Sequence, residues 1–315
     1  MKNTKNLSKK ILKTAIVPII VFVICTLLIP NFRLATVQIV LLQSVIPTVM
    51  SYAMCFTIAA GLFDISSGSI IVLAAMIGGK LCGAYGMAGL IVGCVLIALI
   101  LGIINGAVYI ALKIPSLIVC LGLLLVYEVL GTQLGYGVFV TIDPVYGMIG
   151  KFPYSIFIMI GAAVLFYFMY YHTKFSCHLG VVGSDELLAR TMGVKTSKIK
   201  FLAFAVSGLF LGITAVLQIT YADTISTAQS MTSVTMIFRP MICVFIASTM
   251  KPFCNMAIGV FVSQFTLSMI FNALIALGLP SIMQNVVLGV TLLSVCGFVV
   301  GRQGPKKRLR KKTLA

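Results

Sequence analysis

Few side chains in this sequence could do chemistry. There are 6 acidic residues, 2 histidines and 23 lysines and arginines among 315 residues, of which 60% are hydrophobic and 9% charged. Both histidines, His172 and His178, fall in one polar interval. No HExxH, GxSxG or paired-carboxylate motif accompanies them, so the sequence offers no catalytic set and no metal set. "GGKL" at 78–81 resembles the end of a phosphate loop. Leu81 stands where Ser or Thr would hold magnesium, and Ala74 stands where the leading glycine would be, so no nucleotide site forms there. The nine cysteines are scattered through apolar segments without metal-like or CxxC spacing and read as small apolar fillers.

Polar groups inside apolar runs are more informative, because a charge in a bilayer is costly and faces a partner or a cavity. Asp64 lies in "GLFDISSGSI" with Ser66 close behind and glycines on either side. Two readings stay open for it: a break between helices beside a pathway with the next helix capped by serine, or a structural turn. Asn105 in "GIINGAVY" reads as an interhelical hydrogen bond or a pathway group. Glu128 in "LLVYEVLG" is a carboxylate inside a span and needs a partner, for which Arg239 in "MIFRPMIC" is a candidate.

These residues need elements to hold them. A soluble domain averages roughly 25% charged residues, so 9% excludes a water-soluble globule. Apolar runs of helix-spanning length recur from end to end, and the short alternating segments of an outer-membrane barrel are absent. The fold class is therefore an all-α polytopic membrane protein of about ten transmembrane helices. Spans are expected near 14–30, 36–62, 69–87, 88–112, 115–137, 153–171, 201–220, 236–250, 253–277 and 281–300. The first is read as uncleaved, since no small-residue cleavage site follows it. The whole of 1–315 forms one transmembrane domain, with a basic N-terminus over 1–13, a polar loop over 172–200 and a basic tail over 301–315.

That count places 19 of the 23 basic residues on one face, leaving Arg33, Lys80, Lys151 and Arg239. Positive residues mark the cytoplasmic side, so both termini and the 172–200 loop are expected inside. The net charge of +17 then needs no nucleic acid; the terminal "KKRLRKK" stops the last span and meets anionic membrane lipid. Three GxxxG pairs, Gly89–Gly93, Gly102–Gly106 and Gly208–Gly212, point to close helix packing.

Within the loop, "GSDELLARTMGV" at 183–194 reads as a small complete helix. Ser184 is placed to cap it, Asp185 and Glu186 suit its positive end, and Gly193 is placed to stop it. Leu187, Leu188 and Met192 give it an apolar side, which suits a protein partner.

Four stretches in order resemble the integral membrane permease of bacterial ribose-type ABC importers, a family serving monosaccharides and the autoinducer-2 signal. They are "GLFDISSGSI", the run "GIINGAVYIALKIPSLIVCLGLLLVYEVLG", the loop "GSDELLARTMGVKTSKIKFLAFAVSG" and the 281–300 span with its basic exit. The resemblance implies a permease subunit that is not itself an enzyme, in the bacterial cell (plasma) membrane. It carries a small polar solute, a monosaccharide foremost, along a pathway formed with a second permease copy. A separate ABC ATPase, holding ATP and magnesium, would dock on a coupling helix over 185–192, where Glu186, Ala189 and Gly193 match family positions and Leu188 and Arg190 lie between. An extracytoplasmic solute-binding protein would meet the outer segments 138–152 and 221–235, with Asp143 and Asp223. Where the family carries a glycine-rich stretch, this sequence has Arg239-Pro240 and almost no glycine before Gly259. That departure suggests the divergent half of a heterodimer, with a homodimer as the alternative. A competing reading is a secondary transporter or channel that uses Glu128 and Asp64.

Overall fold

The computed structural model describes residues 34–134, 139–228, 230–251, 254–278 and 283–294, with 18–19, 21–22 and 297. Most of the expected first span, the basic N-terminus, both ends of the 281–300 span and the basic tail lie outside the described residues. Seven helices among those described are long and apolar enough to cross a membrane. The helices are α1 (Leu34–Ala59), α2 (Ser67–Leu112), α3 (Ser116–Leu134), α4 (Tyr154–Tyr171), α5 (Lys174–Ser184), α6 (Glu186–Thr191), α7 (Thr196–Ala222), α8 (Thr235–Met250), α9 (Met256–Ala276) and a short apolar α10 (Met283–Ser294).

The 46-residue α2 would be about 69 Å long if straight, more than twice a bilayer's hydrocarbon thickness. It is not straight. Gly86, at φ 60° and ψ −149°, breaks it into arms over 67–85 and 87–112. Such a dihedral pair is open to glycine and closed to other residues. The arms touch: a Cβ on Gly78 would lie 3.0 Å from Cys94 N, and one on Gly93 would lie 3.1 Å from Gly78 Cα. The two expected spans near 69–87 and 88–112 are therefore one helical hairpin.

The chain divides into two compact units, and the first comprises Val45–Pro240. Its axis is a seam between the second arm of α2 and α7. A Cβ on Gly208 would lie 2.6 Å from Ala98 O, and one on Gly102 would lie 2.7 Å from Phe204 O. Two of the GxxxG pairs thus pack against each other backbone to backbone. Gly208→Val puts its branches into a carbonyl that cannot move aside, at a cost of about 2–3 kcal/mol. The expected result is a lower melting temperature of the purified protein in detergent, whereas Gly161→Val, facing open space, leaves it unchanged.

A second seam is aromatic. Phe166 stacks on Tyr52 at 4.6 Å between ring centroids, and Phe56 packs on Phe210 at 5.7 Å and on Phe175 at 6.3 Å. These rings join α1, α4, α5 and α7. Both ends of this unit are closed by short contacts. At one end, a Cβ on Gly183 would meet the Ala59 carbonyl and lie 3.2 Å from Gly61 N, so the end of α5 sits on the turn after α1. At the other end, β1 (Phe139–Thr141) pairs antiparallel with β2 (Thr224–Ser226), with Val140 opposite Ile225. The first end carries Lys113 and the bases of 174–200, the set that charge assigns to the cytoplasm.

The second unit comprises residues 1–44 and 241–315. Ile242, Cys243, Leu267, Phe271 and Leu288 form one buried cluster in it, and Val40, Met269 and Ala273 another. Asn272 Nδ2 donates to Gln43 Oε1 at 2.6 Å.

Candidate functional site

The polar interval expected as a loop is mostly helical. Thr173 starts α5 by accepting from Ser176 N at 3.4 Å, and Ser176 Oγ donates to the Tyr170 carbonyl. The chain turns extended for one residue at Asp185, φ −157°, and re-enters helix. The cap on that second helix is Asp185 and not Ser184. Asp185 Oδ1 accepts from Leu187 N at 3.0 Å and Leu188 N at 3.1 Å. Ser184 is the last residue of α5, and its hydroxyl donates back to Val181 O. An anionic cap suits the helix N-terminus better than a hydroxyl.

Gly193 ends α6 at φ +79°, as its position suggested. Val194 N donates to Ala189 O and Gly193 N to Arg190 O, both at 3.0 Å, which is the paired-bond Schellman ending. Ala189 is wholly buried beneath the helix. On the other side Leu187 is 76% exposed, Leu188 53% and Met192 65%. Three large apolar side chains thus stand outward on a helix capped at both ends.

Glu186 fastens this helix to the spans. It accepts from Arg190 Nη2 at 2.8 Å, one turn on, and from Lys200 Nζ at 2.7 Å. Lys200 Nζ also donates to Tyr109 Oη at 3.1 Å, so one ammonium ties α6 to both helices of the glycine seam. Its side chain is only 11% exposed. Neither Lys200 nor Tyr109 was singled out in the sequence, where Lys200 reads as one more loop cation.

The hydrogen bond from Lys200, and less so Arg190, holds the Glu186 carboxyl below the usual carboxylate range against partial desolvation. A carboxyl lowered on folding contributes above its unfolded value, about 4.3, and that contribution is lost as pH falls through the folded one. Amide protection over 186–192, taken relative to the intrinsic exchange rate at each pH, is therefore expected to hold from neutral pH to about 4 and to fall below it. Glu186→Gln should show the reduced protection already at pH 7. The effect is modest because the side chain is 39% exposed.

Asp64, Ser66 and Asn105 come together in one network. Asp64 Oδ1 accepts from Ser66 N at 3.0 Å and Ser66 Oγ at 2.6 Å. Ser66 Oγ accepts from Asn105 Nδ2 at 2.6 Å, and Asn105 Oδ1 from Tyr127 Oη at 2.8 Å. Every donor in this chain points toward the carboxylate, and all four residues are buried. The expected serine cap on α2 does not form: Ser66 precedes the helix, but Asp64 takes its N–H and hydroxyl. The arrangement ties the turn before α2 to α2 and α3.

Glu128 lies elsewhere. Its oxygens accept from Met231 N at 2.9 Å, Ser233 N at 3.2 Å and Ser233 Oγ at 2.5 Å. Ser230 and Met231 both have positive φ, 54° and 65°, which turns their neighbouring N–H groups toward the anion. The carboxylate thereby clamps the segment that leads into α8. Arg239, its candidate partner, lies half-buried further along α8, just before Pro240. At the ribbon end of the first unit, Lys151 pairs with Asp223 at 3.0 Å and Ile142 N donates to Asp223 O at 3.0 Å. The ribbon and this pair bring the two expected outer segments side by side, with Asp143 next to Ile142 and with Phe139, Val145 and Met148 exposed.

A helical hairpin, glycine-packed spans and an exposed, capped amphipathic helix define a polytopic α-helical membrane protein. Residues 36–296 match the family described as branched-chain amino acid transport system / permease component, and the chain belongs to that family. Three similar relatives are autoinducer 2 import system permease proteins LsrC. That of Photorhabdus luminescens is 28% identical over 280 residues, covering 85% of this chain and 82% of the relative. Those of Yersinia pseudotuberculosis and Salmonella typhimurium are 25% and 24% identical, each covering 75% of this chain and 68% and 69% of the relative. No solved structure matches. The chain is thus a permease of the ribose-type ABC importer group in the inner membrane, as its four motifs suggested.

Proposed function

We propose that this chain forms the membrane pathway of an ATP-driven importer for a small polar solute of the monosaccharide or autoinducer-2 class. The autoinducer-2 permeases it resembles support that class. The pathway is shared with a second permease copy, and a separate ATPase docks on residues 185–193. ATP and magnesium are held by that ATPase. A solute-binding protein delivers the solute to the outer face built from the ribbon and residues 142–152.

The observation that carries this reading is the pairing of exposure with anchorage in α6. Leu187, Leu188 and Met192 stand outward, while Glu186 is held by Lys200 and through it by Tyr109. A helix that only connected two spans would need neither. A partner that grips the leucines can tilt α6, and the Glu186–Lys200 link carries the tilt into α7 and the second arm of α2. That is the form a coupling element takes when alternating access is driven from outside the chain. The competing secondary-transporter reading would use Glu128 and Asp64, whose oxygens already serve as hydrogen-bond acceptors for neighbouring backbone and hydroxyl groups.

The test is affinity purification of the tagged chain from native membranes in mild detergent, with its partners identified and counted. An ATPase and a second permease copy are expected in equal numbers. Recovery of the chain alone from membranes that still take up solute would overturn the reading. Two identical copies of this chain would make it a homodimer.

A further inference from the structure

The cytoplasmic-type end of the first unit holds a groove of about 900 Å³. One wall is the second arm of α2 with Lys113, another is α6 with Arg190, and the floor is the start of α7 with Lys195, Thr196 and Lys198. Glu186 is the acid among its lining residues, and its charge is already shared by Arg190 and Lys200. Lys113, Lys195 and Lys198 are exposed, and the groove keeps a surplus of positive charge.

Two further features turn this charge into a site. Thr196 begins a 27-residue helix whose N-cap, Lys195, supplies no side-chain acceptor. Lys198 N and Ile199 N close onto Lys195 O, so the N–H groups of Thr196 and Ser197 stand at the open, positive end. Independently, Thr196 is 4% exposed, lines the groove and has a hydroxyl without a hydrogen-bond partner among the described residues. The residue is packed in, yet its oxygen is not among the buried unpaired atoms and opens onto the groove, where with the first N–H groups of the helix and the lysines it makes a donor set for a tetrahedral oxyanion.

We propose that this groove binds a phosphate group, carried either by an anionic phospholipid headgroup or by a phosphate-bearing solute of the cytoplasm. The inference stands on the groove alone and does not need the importer reading. Because Arg190 belongs to both the groove and the Glu186 link, occupancy is felt by α6.

The test uses the purified full chain. Phosphatidylglycerol retained through detergent purification is counted by native mass spectrometry, with phosphatidylcholine as control, and inorganic phosphate binding is measured by equilibrium dialysis. The expected result is that Lys195→Gln with Lys198→Gln lowers anion retention roughly tenfold, and Thr196→Val several-fold. Retention of the lipid alone identifies the headgroup as the source; phosphate binding with the same variant dependence identifies a solute. Equal retention by wild type and all variants overturns the proposal. So does a loss on removing the lysines that Thr196→Val does not share, since that marks a basic surface with no built site. If neither anion binds while the lysine changes lower recovery of a protein partner, the groove is a protein contact and the proposal fails. The lysines are exposed, so those variants keep the fold, which circular dichroism checks.

Discussion

Leu188→Asp together with Leu187→Asp is expected to abolish recovery of the ATPase and ATP-dependent uptake, while the chain itself stays folded and abundant. Both side chains are exposed, so neither charge is buried in the free chain. In a docked complex each would lie in a desolvated apolar contact. A central interface residue is worth about 2–4 kcal/mol, which makes the loss for one change roughly 30- to 1000-fold. Glu186→Lys should give the same loss by a different route. It sets a third cation against Lys200 and Arg190, so α6 is released from α7 and the melting temperature falls as well. Lost recovery with an unchanged melting curve is the signature of the leucine pair. Should the leucine changes leave ATPase recovery intact, α6 is not the docking element.

Glu128→Ala is expected to have the largest effect on stability. It leaves Ser233 N without its acceptor in a buried setting and Met231 N in a part-buried one, at about 3 kcal/mol. The segment before α8 should loosen, and transport should fall in proportion to the folded protein recovered. Glu128→Gln separates this role from ion coupling. The amide oxygen can still accept from Ser233, so roughly two thirds of the loss is restored. Under the secondary-transporter reading the amide cannot carry a proton or balance a cation, so transport would vanish while stability persisted. Measuring melting temperature and uptake on both variants decides between the two.

The spans were legible because bilayer thickness forces long apolar runs, and turns between them concentrate lysine and arginine. The hairpin at Gly86 was legible for the same reason: no single span accommodates 46 residues. The glycine pairs announced close packing, but not that Gly102 meets Gly208, because a small residue specifies distance and not partner. The ending of α6 was visible in Gly193, whereas its beginning was misread by one residue, since Ser184 and Asp185 are both good caps and only the backbone chooses. Helix α5 was hidden by Gly180 and Gly183, although Thr173 three residues before Ser176 is a capping signal.

The partners of the buried charges were least legible. Glu128 is held by backbone N–H groups presented by Ser230 and Met231 at positive φ, and non-glycine residues there leave no mark in the sequence. Lys200 looked like loop charge because α7 begins several residues before the apolar run does. The network from Asp64 to Tyr127 joins the turn before α2 to α2 and α3, and tertiary packing alone brings it together.

The most direct measurement reconstitutes the purified chain in proteoliposomes, with and without the ATPase that co-purifies with it, and follows solute uptake. Uptake that requires both that ATPase and ATP, and that a proton or sodium gradient cannot replace, is the predicted result. Uptake by this chain without the ATPase, driven by either gradient, would contradict the account.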